Sequence, residues 1–245
     1  MRIVGALGAS AALAIGCAHV SDVRENDPGF TAEALRSGGL VVMGVVQVNE
    51  IPQVRPPLIA ALERVLTATR KDIPLIPAER AAAALDDSTG RFLLLSFQMQ
   101  GAPDPAWLNQ AANRLAALGR YGVLARVESD KLRYAGRDAS PTDPGLQSPS
   151  GRIRVTGRDV HVLVQIYDLK TQAKVFDAKY IGTAEAAEPD TLPLAMAMPN
   201  GVTGVSGSSQ AVPIEQEYPK PPPLARALEP AFVELARSLP GGPPP

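Results

Sequence analysis

The sequence predicts an α/β fold, with some α+β character, in which helices pack on a mixed sheet of four or five strands. Two observations carry this prediction. Residues 40–48, LVVMGVVQV, form a continuous β-branched run typical of a buried central strand, and the amphipathic segment 56–71 follows it. Residues 160–168, VHVLVQIYD, alternate in polarity, and residues 173–185 return as an antiparallel partner after a short turn. The chain therefore combines a strand–helix unit with a C-terminal antiparallel hairpin.

The segments between these two units complete the layer of helices and add strands to the sheet. Residues 72–77 predict a short edge segment, because two prolines flank its apolar residues, and residues 78–85 predict a short helix. Helices are also expected over 91–100, which a glycine follows, and over 105–118, which an Asp-Pro pair begins. Residues 120–129 predict a further strand.

Proline and glycine, 45 residues together, divide the chain into one folded domain and several irregular segments. The domain is expected over 39–185, with a flexible loop at 130–154. A low-complexity insertion follows at 186–222, and then a helix at 223–240 that returns to the domain. Pro230 lies inside that helix and predicts a kink or a late start, and residues 241–245 form a tail.

The first residues have the features of a bacterial lipoprotein signal. Arg2 precedes a short apolar run, and the sequence Ala-Ile-Gly before Cys17 resembles the motif that is cut before a lipid-modified cysteine. We therefore expect a signal peptide at 1–16, lipidation of Cys17 with palmitate or a similar acyl group, and a polar tether over 17–38. Ala18 favours the outer membrane. The alternative is an ordinary signal peptide that leaves Cys17 as a free thiol.

Composition excludes some classes of partner. The net charge is −1, and it becomes −2 when Arg2 is removed with the signal, so nucleic acid is not an expected partner. We expect no cofactor and no metal. The two histidines, His19 and His161, are far apart in the sequence, and the sequence has no zinc-ligand spacing and no nucleophile motif. Lipidation would also remove the only thiol from the chemistry.

The strand sequences resemble a group of periplasmic domains. Residues 40–48, 120–129 and 160–182 are similar to the α/β domain of the TolB amino-terminal region, the curli-secretion lipoprotein and the lipoprotein that activates a penicillin-binding protein. Five hairpin residues match that group's pattern, whereas two positions of the turn depart from it: the matches are Tyr167, Asp168, Thr171, Val175 and Phe176, and the departures are Gln172 and Ala173. The resemblance implies a lipid-anchored interaction domain with an envelope protein as partner.

Several polar groups of the sequence have the pattern of a possible site, but ordinary structural roles account for them. Asp86 and Asp87 are interpreted as a solvated turn, with acid–base chemistry as the alternative. Glu128 and Asp130 are interpreted as a polar strand end, with the rim of a cleft as the alternative. The glycines at 201–207 lack a phosphate-binding motif. A group of arginines near the second strand is interpreted as a balanced charged face, with an anionic partner as the alternative: Arg120, Arg126, Arg152, Arg154 and Arg158.

The partner surface is expected on the outer face of the hairpin. It comprises His161, Leu163, Tyr167, Phe176 and Tyr180, with Gln165 beside them. The alternative is that the last helix covers these residues.

The leading functional hypothesis is a non-enzymatic, lipid-anchored interaction module of the outer membrane that faces the periplasm. A secreted or surface-exposed lipoprotein is the alternative location. The alternative functions are a subunit of an oligomeric envelope secretion or assembly complex, and a hydrolase of unknown type. The sequence leaves the oligomeric state open.

Overall fold

The computed structural model describes residues 19–48, 56–138, 152–189 and 218–243. The predicted signal peptide and Cys17 lie outside the described residues, as does most of the predicted low-complexity insertion. Within the described ranges, none of the helices is both long and apolar enough to cross a membrane.

Six strands form one mixed sheet, in the order β1-β6-β5-β4-β2-β3. The strands are β1 (His19–Asn26), β2 (Leu40–Gln47), β3 (Leu75–Ile76), β4 (Tyr121–Asp138), β5 (Arg152–Asp168) and β6 (Lys174–Pro189). β2 pairs in parallel with β3 and β4, and the other neighbours are antiparallel. The predicted mixed α/β fold is therefore confirmed, although the sheet has six strands and not four or five.

Six helices of the described residues pack on this sheet. They are α1 (Ala32–Gly38), α2 (Pro56–Thr69), α3 (Ala78–Ala84), α4 (Asp87–Gln100), α5 (Pro105–Leu115) and α6 (Leu224–Ser238). The predicted helices at 56–71, 78–85, 91–100, 105–118 and 223–240 are all present, with ends that differ by a few residues. Pro230 lies inside α6, which is continuous through it.

The two faces of the sheet are covered by different helices and have separate apolar cores. On one face, Leu62 of α2 and Phe232 of α6 pack with the β5 and β6 residues Val162 and Tyr180. On the other face, residues of α3, α4 and α5 pack against β2, β4 and the odd-numbered positions of β5. The sheet is thus sandwiched between two helical layers, the arrangement expected of an α/β domain.

The predicted tether is wrong over residues 19–38. β1 adds an antiparallel edge strand to β6, where His19 pairs with Ile181 and Asn26 with Phe176. α1 follows, and its Leu35 is fully buried, while the Thr31 side chain accepts a hydrogen bond from the Ala34 amide (3.2 Å) and so caps the helix. Backbone hydrogen bonds to β6 hold β1, and its residues Asp22, Glu25 and Asn26 are exposed, so the segment shows no clear apolar alternation.

The predicted loop at 130–154 is also shorter than expected. β4 continues to Asp138 and β5 begins at Arg152, so the two strands pair from Tyr121 and Asp168 to Asp138 and Arg152. β6 likewise continues to Pro189 and takes up the first residues of the predicted insertion. We use the name strand extension for the residues of β4 after Ser129, the residues of β5 before Val160 and the residues of β6 after Ile181.

Candidate interaction surface

The structure does not bring the predicted partner surface together. His161 is exposed, but the other four residues are buried: Leu163 and Tyr167 are 4% and 5% exposed, and Phe176 and Tyr180 are 1% and 0% exposed. Leu163 and Tyr167 belong to the core under α4 and α5, whereas Phe176 and Tyr180 belong to the core under α6. These five residues therefore do not form one exposed patch.

The register of the hairpin explains why these residues do not share the face that the sequence predicts. Phe176 pairs with Ile166 and Tyr180 pairs with Val162, and residues directly opposite each other in a ladder point to the same face. Phe176 and Tyr180 thus share the face of the even-numbered residues of β5, while Tyr167 lies on the opposite face. A register shift between Ile166 and Tyr167 lies next to the turn, and a pattern of alternation alone does not reveal it.

Buried polar groups of the hairpin form a hydrogen-bonded chain. The Tyr167 hydroxyl donates to Gln165 Oε1 (2.8 Å), and the Gln165 amide donates to Asp177 Oδ2 (3.1 Å). Lys174 forms ion pairs with Asp177 (2.7 Å) and Glu25 (3.1 Å). Burial, with smaller contributions from Asp177 and Glu25, raises the pKa of Tyr167 far above its ordinary value, so this hydroxyl stays neutral and acts as a donor. The chain joins β5, β6 and β1 and has the character of a structural network.

The arginines near the second strand are mostly paired. Arg120 contacts Asp168 (2.8 Å), Arg126 contacts Glu128 (3.3 Å) and Arg158 contacts Asp130 (2.9 Å). These contacts agree with the interpretation of a balanced charged face. They also occupy Glu128 and Asp130, the pair at the predicted strand end.

The predicted acidic pair at 86–87 is a helix cap. The Asp86 carboxylate accepts hydrogen bonds from the Ser88 hydroxyl (2.6 Å) and the Thr89 amide (2.7 Å), and it forms an ion pair with Arg114 (2.7 Å). These donors hold the pKa of Asp86 well below its ordinary value. A carboxyl group held ionised in this way is suited to capping α4 and not to donating a proton. The part of the chain that the structure describes contains no group of three or more His, Cys, Asp or Glu residues that could hold a metal ion.

The most prominent apolar surface lies on α4 and α5. Phe92 and Met99 are 40% and 71% exposed, and half-buried Leu95 lies between them on the same side of α4. The Phe92 ring stacks on the half-buried Trp107 of α5, with centroids 4.9 Å apart and an interplanar angle of 22°. We call these four residues the α4–α5 patch.

Local sequence signals hold the two helices that carry the patch. Asp86 caps the start of α4, and Gly101, with a φ of 76°, ends it in the left-handed conformation. Asp104 then caps α5, since its side chain accepts a hydrogen bond from the Ala106 amide (2.9 Å). Leu93 and Phe97 turn inward and are fully buried, so Phe92, Leu95 and Met99 must lie on other sides of the helix.

The patch residues carry no charge, and Ser88 and Ser96 share their side of α4, while the exposed Arg91, one turn before Leu95, lies at the edge of the patch. Depletion of charge together with aromatic residues and methionine is the composition of the centre of a protein–protein interface. The sequence pattern predicts a binding surface on the hairpin and does not predict this one. The available signal was the helix at 91–100, whose apolar residues exceed what one buried face requires.

Three solved structures resemble the fold of this chain. PelC from Paraburkholderia phytofirmans, a dodecamer, is 14% identical with a TM-score of 0.33, over 69% of this chain and 83% of PelC. CT253, a hypothetical protein from Chlamydia trachomatis, is 14% identical with a TM-score of 0.32, over 62% and 71% of the two chains. The lipoprotein GNA1162 from Neisseria meningitidis is 11% identical with a TM-score of 0.30, over 62% and 84%. At these values the similarity concerns the fold alone.

No family model and no curated protein matches the sequence.

Proposed function

We propose that the protein is a lipid-anchored module of the bacterial outer membrane that binds another envelope protein and catalyses no reaction. The α4–α5 patch is the observation that carries the proposal. The Phe92–Trp107 stack presents rigid aromatic area, and Met99 presents a flexible apolar side chain that adapts to its contact. Because the patch is uncharged, its partner is expected to present an apolar surface and not a polyanion.

The patch can be tested by crosslinking in intact cells. A photoreactive phenylalanine analogue replaces Met99 in one strain and Lys71, an exposed residue at the end of α2, in the control strain. We expect one envelope protein to be captured from position 99 and to be absent from position 71. Equal yields from the two positions, or no adduct above background at position 99, would contradict binding through the patch.

The anchor needs a separate test, because Cys17 lies outside the described residues. We expect the unmodified protein to fractionate with the outer membrane and Cys17→Ser to lose acylation and appear in the soluble periplasmic fraction. A serine variant that still fractionates with the outer membrane would refute lipid anchoring. It would leave the patch proposal to the crosslinking result.

A second candidate function is a subunit of an oligomeric envelope complex. An uncharged patch can face an identical patch on another copy without juxtaposing like charges, which is a requirement of a two-fold contact. In the crosslinking experiment, this alternative predicts an adduct of twice the chain mass, formed from position 99 only.

A further inference from the structure

A cavity of about 430 Å³ lies beside the carboxyl-terminal half of β2. It is not part of the α4–α5 patch, and its residues come from β2, α2, α3 and α4. The walls are formed mainly by aliphatic side chains: Met43, Val46, Ile59, Ala82, Leu85 and Leu94. Its volume falls within the range of small-molecule sites, which are typically apolar with a few polar groups.

The topology explains why a cavity forms at this position. β2 and β3 are parallel neighbours in the sheet. The chain leaves β2 toward α2, which packs on one face, and leaves β3 toward α3, which packs on the other face. Adjacent parallel strands whose connections turn to opposite faces leave a crevice outside their carboxyl ends, and ligands of open α/β sheets bind in such crevices.

The polar groups of the cavity lie at the start of α4 and along it, and they differ in how many hydrogen bonds and ion pairs they already form. Asp86 is occupied by the cap of α4 and by Arg114, as described above. Asp87 and Arg91 are exposed, and neither forms an ion pair with any residue that the structure describes. They stand one turn apart on α4, a rise of about 6 Å along the helix axis, so a carboxylate and a guanidinium line the cavity from neighbouring turns.

We propose that this cavity binds a single-chain zwitterionic amphiphile, with its hydrocarbon chain inside and its head group at Asp87 and Arg91. The aliphatic walls suit a hydrocarbon chain, whose burial is favourable in proportion to the area removed from water. Asp87 can accept hydrogen bonds from an ammonium group, and Arg91 can donate to a phosphate. A lysophospholipid with an ethanolamine head group has this chemistry. This inference does not depend on the function proposed for the patch.

Photolabelling of the full-length protein tests the site. The protein is reconstituted in phosphatidylethanolamine vesicles and exposed to a lysophosphatidylethanolamine that carries a diazirine near the end of its acyl chain. We expect the label on the cavity walls, at Met43, Val46, Ile59 or within residues 78–98, found by mass spectrometry, and we expect excess unlabelled lysophosphatidylethanolamine to displace it. Label distributed along the chain, or label that is not displaced, overturns the proposal on the unmodified protein.

Two substitutions on one exposed side of α3 provide a matched pair. Ala82 lines the cavity and Ala83 does not, and both are exposed, so tryptophan at either position should leave the fold intact. We expect Ala82→Trp to reduce labelling by about tenfold or more, since the indole fills space that the chain needs, and Ala83→Trp to retain it. Equal labelling of the two variants would overturn the site.

The head group is tested by competition against the same probe. Lysophosphatidylethanolamine should compete better than a fatty acid of equal chain length, and Asp87→Asn should remove that advantage because the ammonium group loses its negatively charged partner. If the fatty acid competes equally well with the unmodified protein, the zwitterionic head group is excluded and the proposal fails in that part.

Discussion

Arg70, at the end of α2, and Asp72 form a two-bond ion pair, in which Arg70 Nε lies 2.9 Å from Oδ1 and Nη2 lies 3.0 Å from Oδ2. The Arg70 side chain is buried, and its remaining hydrogen bonds go to the carbonyl oxygens of Ala236, Leu239 and Pro240 at 2.8–3.4 Å. Ala236 lies in the last turn of α6, and Leu239 and Pro240 directly follow the helix, so these carbonyls have no partner within it. One guanidinium therefore ties the end of α2 to the end of the last helix.

This geometry predicts a large loss of stability for Arg70→Met. The variant should lower the free energy of unfolding by about 2–4 kcal/mol, because buried carbonyl oxygens lose their donor and Asp72 loses its main partner. Arg36→Ala is the matched control, since Arg36 contacts the same carboxylate at 3.1 Å but is exposed, and it should cost at most about 1 kcal/mol. Urea unfolding of both variants measures the difference. Similar losses would contradict the role assigned to Arg70.

The same pair predicts a pH dependence of stability in acid. Hydrogen bonds from Arg70 and then Arg36 hold the pKa of Asp72 well below its ordinary value, although burial opposes the shift. Because the pKa is lower in the folded state, the unfolded chain binds a proton first as the pH falls. The stabilisation is therefore present above about pH 4, the pKa of an unfolded aspartate, and is lost as the pH falls further.

Asp72→Asn should remove this acid-dependent contribution. We expect the free energy of unfolding, measured with urea from pH 6 to pH 2.5, to fall less steeply in the variant than in the unmodified protein. Glu79→Gln, at an exposed position in the first turn of α3, should keep the original slope. Unchanged slopes in both variants would show that Asp72 does not contribute to the pH dependence.

Gly182 of β6 is expected to tolerate no side chain. A Cβ atom there would lie 2.2 Å from the Ala227 carbonyl oxygen of α6 and 3.2 Å from Ala231 Cβ. Gly182→Ala should therefore cost about 1–3 kcal/mol in the free energy of unfolding, since α6 must move away from the sheet. At Gly157 of β5 the nearest group is the flexible end of Arg133, 3.0 Å away, so Gly157→Ala should have a much smaller effect. Thermal unfolding compares the two, and an equal cost would contradict close packing at Gly182.

The elements that could be predicted from the sequence are those whose burial leaves a periodic pattern. α2 and the inner half of β5 bury one face or both, so their apolar spacing identifies them. In the strand extension, Lys131 pairs with Asp159 and Leu132 with Arg158, and neither β4 residue is buried, so the strand leaves no apolar period. The same reason explains why β1 could not be predicted from the sequence. Hydrogen bonds between backbones hold these segments, and composition does not reveal such bonds.

The candidate surface could be predicted only in part, because exposure depends on which helix covers which face. Tyrosine is a residue type that is common in binding surfaces, but the Tyr180 hydroxyl contacts Ser238 of α6, more than fifty residues away in sequence. Methionine and phenylalanine are residue types that are common in cores, yet no described element covers Met99 and Phe92 completely. The apolar faces of helices can be read from a single sequence, but the elements that cover those faces cannot. Apolar residues in excess of one buried face are therefore the sequence signal for an exposed binding surface.

Trp107 allows the patch to be observed directly, because it is the only tryptophan of the chain. Its indole is half-buried and stacked on the exposed Phe92 ring, so its fluorescence depends on what lies over this part of α4 and α5. Phe92→Ala should shift the emission to longer wavelength and increase quenching by acrylamide, because the indole becomes more accessible to water. Leu132→Ala, which removes an exposed apolar side chain from β4, should leave both unchanged. If Phe92→Ala left the emission and the quenching unchanged, Phe92 would not shield Trp107. A partner bound to the patch should have the opposite effect to Phe92→Ala, with emission at shorter wavelength and less quenching, because it would exclude water from the indole.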